Sequence, residues 1–195
     1  MAGDVEMLVQ EASRGDAVAV ESLLTRFLPG LRAFIRLRTG KLLRARESAS
    51  DLVQSVCREV IEHLDRFQYR SEAGFKYWLY TEALRKIANR REYHEAAKRD
   101  VRKEHRPDQG AADQDLLASY QTLTTPSQHA IAHEELERIE RAFDQLPETE
   151  REVILLSRIV GLSADEIAEQ QGRSQGAVRT ALSRALAKLA EHLDD

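Results

Sequence analysis

The stretch from Leu162 to Leu189 constrains the fold of this chain more than any other. Ser163 is a helix-capping residue, and Glu166 stands three positions later, which is the capping-box spacing that begins a helix. Gly172 then ends that short helix, because glycine adopts the left-handed conformation at little cost. A second helix follows Ser174. Its apolar residues recur at three- and four-residue spacing: Val178, Leu182, Leu186 and Leu189.

The pattern predicts two helices packed across a tight turn, with polar and basic side chains on the outer side of the second. In a DNA-binding helix-turn-helix, that second helix enters the major groove while the first crosses the phosphate backbone. The sequence does not say which arginines would read bases and which would contact phosphates. The alternative is an ordinary helical hairpin inside a core. The expected DNA contacts are Arg173, Gln175, Arg179, Thr180, Ser183 and Arg184.

Composition favours a soluble, all-α protein. Hydrophobic residues make up 42% and charged residues 32% of the 195 residues, and no alternating strand pattern is followed by a turn signal. No apolar run approaches the length of about 20 residues that spans a membrane, and the N-terminus lacks the features of a signal peptide. A single cysteine, Cys57, cannot form an internal disulfide, which fits a reducing cytoplasm. We interpret it as a small buried apolar residue. We therefore expect a cytoplasmic protein.

The formal net charge of −4 conceals a strong segregation of charge along the chain. Residues 32–46 contain six basic residues and no acidic one, and residues 85–106 are also predominantly basic. Residues 108–150 contain ten acidic residues and two arginines. Local patches govern attraction to a polyanion, so the two basic segments remain candidates for DNA contact. The acidic segment is expected either to repel DNA or to cover a basic face.

Apolar periodicity divides the remainder of the chain into helical segments. One or two helices are expected from about Asp4 to Leu37, with Pro29-Gly30 interrupting or kinking them. Further helices are expected from Ser50 to Phe67 and from near Glu72. The apolar periodicity is lost in residues 107–126, and helices are expected again near Ser127 and after Pro147. The sequence thus predicts two helical domains, 1–106 and 128–195, joined by a flexible acidic linker at 107–127.

Three motifs in this order resemble the bacterial RNA polymerase sigma factors of the extracytoplasmic-function (ECF) group. Asp51-Leu52-Val53-Gln54 and the helix after it resemble the core-polymerase-binding helix of sigma region two. Residues 75–80, Phe-Lys-Tyr-Trp-Leu-Tyr, with the basic helix that follows, resemble the segment that melts and reads the −10 element. Residues 146–160, leading into the helix-turn-helix, resemble region four, which reads the −35 element. The resemblance covers nearly the whole chain.

The resemblance implies a non-enzymatic factor that binds core RNA polymerase and promoter DNA, needs no cofactor and directs transcription initiation. Aromatic rings beside basic side chains suit single-stranded DNA, because bases stack on rings while Lys and Arg follow phosphates. Phe75 and Trp78 also fit a core role at helical spacing. The implied polymerase contacts are Ser48, Ser50, Asp51, Leu52 and Gln54. The implied −10 contacts are Tyr69, Arg70, Tyr77, Trp78, Arg85, Lys86 and Arg90.

The chain departs from the family pattern at the start of its polymerase-binding helix. The family usually has a strongly acidic sequence there, whereas this chain has Ser48-Ala49-Ser50-Asp51. Either the serines cap the helix, or phosphorylation of Ser48 or Ser50 restores the missing negative charge. Regulation by a Ser/Thr kinase or by an anti-sigma protein is compatible with the sequence. Arg85 and Ala181 also depart from the usual residues, which leaves the −10 preference and the −35 affinity open.

Other functional classes have weaker support. His129 and His133 have the spacing of a metal-binding pair on one helix, but no further ligand stands nearby and no metal is expected. No phosphate-binding glycine loop, nucleophile motif or carboxylate pair indicates an enzyme. Two rival interpretations remain: a stand-alone helix-turn-helix regulator of duplex DNA, and a sigma-like adaptor or decoy without initiation activity.

Overall fold

The computed structural model describes residues 2–63, 71–97 and 132–194. Within these ranges the chain is all-α, as the sequence predicts, and contains no strand. A π-helical turn, Leu155–Ile159, directly continues the sixth helix. The helices are α1 Ala2–Ala12, α2 Ala17–Arg44, α3 Ala49–Glu62, α4 Glu72–Ala97, α5 Ala132–Gln145, α6 Glu148–Ile154, α7 Ala164–Gln171 and α8 Gln175–Asp194.

The N-terminal module consists of α1 to α4, with α2 packed against the other three helices. Aromatic contacts join α2 to α4: the ring centroids of Phe34 and Tyr80 are 4.7 Å apart, and those of Phe27 and Phe75 are 5.7 Å apart. Phe34 and Phe75 are fully buried, and burial of such a side chain contributes about 1.5–3 kcal/mol. The half-buried Cys57 packs against the same core, and burial raises the pKa of its thiol.

Helix α2 runs through Pro29-Gly30, so of the two expected outcomes, an interruption or a kink, the interruption is wrong. Proline removes the hydrogen bond to the carbonyl four residues earlier, which belongs to Thr25. Pro29 and Thr25 are both exposed, so water can hydrate that carbonyl. A Cβ on Gly30 would lie 2.7 Å from the Tyr80 hydroxyl, so glycine here permits close helix packing. The backbone leaves helical geometry instead at Gly40, where φ is 67°.

Helix α3 begins one residue before its predicted start, and its N-cap is Ser48. The Ser48 hydroxyl accepts a hydrogen bond from the Asp51 backbone N–H at 3.0 Å. The described helix ends at Glu62, and the remaining predicted turn to Phe67 lies outside the described residues. Helix α4 begins at Glu72, as predicted. The predicted linker at 107–127 also lies outside the described residues.

The C-terminal module consists of α5 to α8. Helix α6 follows Pro147, as predicted, and widens into the π-helical turn before Gly161. Helix α8 packs against α5, α6 and α7. Its fully buried residues are Val178, Ala185 and Leu189, whereas Leu182 and Leu186 are partly buried against the core.

The two modules lie against each other. Helix α2 contacts both α5 and the π-helical turn, and the buried apolar residues of the modules form one continuous core. No helix within the described ranges is both long and apolar enough to cross a membrane.

Candidate nucleic-acid and polymerase interface

The turn between α7 and α8 has the geometry that the sequence predicts. The Glu166 backbone N–H donates to the Ser163 hydroxyl at 3.2 Å, and the Ser163 backbone N–H donates to the Glu166 carboxylate at 2.7 Å. Gly172 closes α7 in the left-handed conformation, with φ of 63°. Ser174 accepts from the Ala177 backbone N–H at 3.2 Å and so caps α8. Both helix starts are therefore fixed by local hydrogen bonds.

The outer face of α8 is polar and basic. Residues 175–190 contain three basic residues and no acidic one. Arg173 lies at the turn and donates to the Gln171 side chain at 3.2 Å. Of the predicted DNA contacts, Gln175 is partly buried and the other five are exposed: Arg173, Arg179, Thr180, Ser183 and Arg184. The structure thus gathers the predicted residues on one accessible surface, which we call the α8 face.

The three predicted −10 cations of α4 lie beside carboxylates of the protein. Arg85 pairs with Glu82 at 2.6 Å and is largely exposed. Lys86 pairs with Glu59 of α3 at 2.5 Å, and only 16% of its side chain is exposed. Arg90 lies 3.5 Å from the Glu47 carboxylate. Of these three predicted −10 contacts, Arg85 is the most accessible.

The aromatic residues of the −10-like motif lie largely inside the N-terminal module. Trp78 is 7% exposed, and its ring centroid is 6.1 Å from that of Phe75. Tyr77 is partly buried. The other two predicted −10 contacts, Tyr69 and Arg70, lie outside the described residues. Lys76 pairs with Glu72 at 2.7 Å.

The predicted polymerase contacts lie at the start of α3, on two different faces. Ser50, Asp51 and Gln54 are exposed, Ser48 is partly buried at the cap, and Leu52 is 1% exposed in the core. Arg58 and Ile61 continue the same exposed stripe by helical spacing, and Ile61 is 50% exposed. The sequence motif does not include these two residues, although their spacing from Gln54 indicates that they share its face.

A metal centre finds no support in the described ranges, where no three His, Cys, Asp or Glu side chains form a group that could hold an ion. Of the two histidines at metal-pair spacing, His129 lies outside those ranges, and His133 lies in the first turn of α5.

Comparison with known proteins agrees with this arrangement. The family model described as Sigma-70 region 2 matches residues 23–97, and the model described as Sigma-70, region 4 matches residues 136–189. The ECF RNA polymerase sigma factor SigD of Mycobacterium tuberculosis (strain ATCC 25618 / H37Rv) is 34% identical over 191 residues, which cover 97% of this chain and 84% of SigD. The chain belongs to the ECF sigma factors of RNA polymerase.

Two further proteins similar to this sigma factor extend over most of its length. The ECF RNA polymerase sigma factor ShbA of Streptomyces griseus is 30% identical over 183 residues, covering 93% of this chain and 91% of ShbA. Among solved structures, CnrH in complex with the cytosolic domain of CnrY is similar with a TM-score of 0.61 and 25% identity. That match covers 97% of this chain and 96% of CnrH.

The sigma factor also has a charged contact between its modules that sequence reasoning did not assign to specific residues. Arginines of α2 meet carboxylates of α5 and α6. Arg36 pairs with Glu140, Arg38 pairs with Glu148, and Arg44 pairs with Asp144 at 2.6 Å. The segregation of basic and acidic segments along the chain was the available signal. We call these six residues the junction cluster.

Two charged residues of the junction cluster are buried. Glu140 is 6% exposed and Arg38 is 7% exposed. The hydrogen bond from Arg38, followed by its positive charge, holds the pKa of Glu148 below its ordinary value. Desolvation, followed by the charge of Arg38, lowers the pKa of Arg151. Charges buried in this way are stable only while their partners remain in place.

Proposed function

We propose that this ECF sigma factor uses three separate surfaces: the start of α3 for core RNA polymerase, the α4 region for the −10 element, and the α8 face for the −35 element. Membership of the family supports the first two roles through the matched region 2, and the third through the matched region 4. The observation that carries the proposal is the α8 face, where accessible arginines and polar groups stand together without a carboxylate.

Polymerase binding is assigned to the exposed stripe of α3. Asp51 and Gln54 are exposed on it, whereas Leu52 supports the helix from the core. A side chain inside the core can orient its neighbours but offers no surface to a partner. Arg58 and Ile61 extend the stripe, so the proposed polymerase contact is wider than the sequence motif.

The −10 contact is assigned to α4 and the segment before it. Arg85 is the accessible cation of this helix, and Tyr77 supplies a partly exposed ring. Lys86 and Arg90 are held by carboxylates, so their use on DNA requires an exchange of Glu59 and Glu47 for phosphate oxygens. Only 16% of the Lys86 side chain is exposed, against 41% of the Arg90 side chain, so the exchange is easier at Arg90.

In vitro transcription with purified core polymerase tests the whole proposal. We expect the wild-type chain to start transcription from a promoter that core polymerase alone does not use. Asp51→Asn/Gln54→Ala should lower the amount of sigma factor retained on core polymerase, whereas the control Glu21→Gln, an exposed change on α2, should not. Binding to promoter duplex without polymerase would instead favour a stand-alone regulator. Binding to polymerase without transcripts would favour a decoy.

We also propose phosphorylation at the start of α3, and of its two serines the accessible Ser50 is the better candidate. The Ser48 hydroxyl already serves as the helix cap, whereas Ser50 is exposed beside Asp51. A phosphate on Ser50 would lie in the first turn of the helix, where negative charge is favourable. We expect Ser50→Asp to bind core polymerase more tightly than Ser50→Ala. Equal binding by the two variants would remove phosphorylation from the proposal.

Control by a protein regulator is a separate proposal. CnrH was solved in complex with the cytosolic domain of CnrY, and we propose a comparable protein partner for this chain. Co-purification from cells that express the tagged sigma factor, followed by an assay for inhibition of transcription, tests that proposal. A cytoplasmic location, as expected for a factor that serves RNA polymerase, stays a prediction.

A further inference from the structure

A cavity of about 400 Å³ lies where four helices, α2, α4, α5 and α6, meet. Sites for small-molecule ligands have volumes of about 300–1,000 Å³ and often lie where domains meet. The charged side chains that line this cavity are Arg91, Glu95, Asp144 and Arg151. Neither arginine is among the residues assigned above to polymerase or promoter.

The two arginines of the cavity have no carboxylate in contact. Within the described ranges, neither Arg91 of α4 nor Arg151 of α6 forms an ion pair or a side-chain hydrogen bond. Both side chains are partly buried, and the Nε of Arg151 is shielded from water. Polar groups withdrawn from water are normally hydrogen-bonded. These two guanidiniums are therefore short of an anionic partner.

The carboxylates near the cavity are engaged by other arginines or face water. Asp144 accepts a hydrogen bond from Arg44 at 2.6 Å. Glu148 accepts one from Arg38. Glu95, the remaining charged residue of the lining, is exposed to water. None of the three forms an ion pair with a cavity arginine in the part of the chain that the structure describes.

The charges around Arg151 leave the cavity electropositive. Desolvation and then the positive charge of Arg38 lower the pKa of Arg151, and the charge of Arg91 acts in the same direction. The attraction of Asp144 and Glu148 opposes this shift without cancelling it. Arginine nevertheless stays protonated near neutral pH. An anion bound beside Arg91 and Arg151 would compensate their charge.

A third arginine, Arg38, extends the positive region behind the cavity wall. It is 7% exposed, and its Nε and Nη1 have no hydrogen-bond partner among the described residues. Its carboxylate partner is Glu148. Because Arg38 is not part of the lining, it acts on an anion in the cavity through its charge and not by contact.

Phosphate is the anion that suits this arrangement. A guanidinium binds phosphate through two parallel N–H donors in a fixed plane. A phosphate monoester carries about 1.5 to 2 negative charges at pH 7, which matches two arginines without partners. The cavity is large enough for a small ligand around the phosphate group. A concave site between four helices favours a compact molecule over the extended backbone of DNA.

We propose that this cavity binds a small phosphate compound of up to mononucleotide size, with its phosphate group held by Arg91 and Arg151. The site is independent of the proposed function, because it uses none of the residues assigned to polymerase or promoter. A ligand that binds only the folded chain stabilises it in proportion to the logarithm of ligand concentration. The stability of this sigma factor then depends on the supply of phosphate compounds.

Calorimetric titration of the full-length chain with adenosine monophosphate (AMP) tests the site. Inorganic phosphate is the second probe, and adenosine is the uncharged control. We expect AMP and phosphate to bind and to raise the midpoint of thermal unfolding above its value in potassium chloride of equal ionic strength. Adenosine should do neither. Arg91→Gln and Arg151→Gln should each raise the Kd for AMP about 10- to 150-fold, the range for a lost hydrogen bond to a charged group.

Two comparisons separate binding from folding. Arg26→Gln makes the same change at an exposed arginine of α2 outside the cavity lining, and it should leave the Kd for AMP unchanged. Without ligand, Arg151→Gln should unfold at a midpoint no lower than that of wild type, because it removes a partly buried cation that has no anion in contact. A lower midpoint together with unchanged AMP affinity would give Arg151 a structural role and overturn the proposal.

Further outcomes would also overturn the site. Failure of both AMP and phosphate to bind would do so, as would equal affinity for AMP and adenosine. An unchanged Kd in both Arg91→Gln and Arg151→Gln would place AMP elsewhere. Binding of a single-stranded oligonucleotide through both arginines, without binding of AMP, would assign them to DNA. These titrations use no polymerase, so a failed transcription assay would leave their result intact.

Discussion

At the scale of single residues, Arg38 and Glu148 form an ion pair between a buried cation and an exposed anion. Arg38 is 7% exposed, whereas the Glu148 side chain is 60% exposed. The hydrogen bond from Arg38 and then its charge lower the pKa of Glu148, and the charges of Arg91 and Arg151 act in the same direction. The carboxylate therefore stays ionised at a more acidic pH than an isolated glutamate.

The variant Glu148→Gln tests this pair through the pH dependence of stability. A depressed pKa contributes to the free energy of unfolding at pH values above the ordinary pKa of 4.5, and the contribution is lost as the pH falls through the depressed value. We expect Glu148→Gln to be less stable than wild type near neutral pH, by on the order of 1 kcal/mol. In urea denaturation well below pH 4.5 the difference should disappear. A difference in the free energy of unfolding that does not change with pH would mean that the substitution acts through side-chain packing and not through the charge of Glu148.

Two arginines of the α8 face are expected to differ in what they recognise. Arg179 lies near the start of α8, the part of a recognition helix that contacts base edges, and Arg184 lies more than one turn further along. Arg179→Ala should cost about 1–3 kcal/mol of discrimination at one base pair, whereas Arg184→Ala should weaken all −35 sequences equally. Binding of holoenzyme to a set of single-base promoter variants measures both. Lys188→Ala, which removes an ion pair with Glu150, serves as the control.

At the scale of elements, the turn between α7 and α8 depends on the backbone conformation of Gly172. Its φ of 63° lies in the left-handed region, and a Cβ placed there would meet no neighbouring atom. Any penalty from a larger residue therefore comes from the backbone and not from packing. Gly176, in the first turn of α8, also has open space around its Cβ position and keeps an ordinary helical φ.

Substitution by alanine should change the stability of the protein in opposite directions at Gly172 and Gly176. Gly172→Ala forces a left-handed backbone on a side-chain-bearing residue and should destabilise the protein by about 1–2 kcal/mol. Gly176→Ala should stabilise it by about 0.4–1 kcal/mol, because alanine reduces the entropy of the unfolded chain. Thermal unfolding of both variants checks the pair. A loss of stability in both variants would contradict the assigned backbone conformations.

At the scale of the whole molecule, the ion pairs of the junction cluster join the two helical modules. Asp144→Asn/Glu148→Gln removes the anionic partners of Arg44 and Arg38 and should lower the free energy of unfolding by about 0.4–2 kcal/mol, the sum expected for two partly exposed ion pairs. Urea denaturation near neutral pH measures this, with Asp165→Asn/Glu169→Gln on exposed carboxylates of α7 as the control. Equal stability of the two variants would contradict a contribution from these pairs.

The sequence by itself determined the elements and much of the α8 face. The capping box at Ser163, the break at Gly172 and the start of α8 all follow from signals within a few residues, which is why they are predictable. The interruption expected at Pro29 does not occur, because a proline in the sequence does not show whether the carbonyl that loses its hydrogen bond is exposed to water. The motifs of α3 and α4 resembled the right family, and the matches to region 2 and region 4 confirm that resemblance.

Only the tertiary structure decided which charged residues meet. The basic segment at 32–46 and the acidic segment at 108–150 are plain in the sequence, yet their pairing depends on how α2, α5 and α6 pack. Arg36 and Glu140, 104 positions apart, carry no local signal of each other. Periodicity fixes which face of a helix is buried, because it depends on neighbours in the chain. The partner of a buried charge depends on neighbours in space.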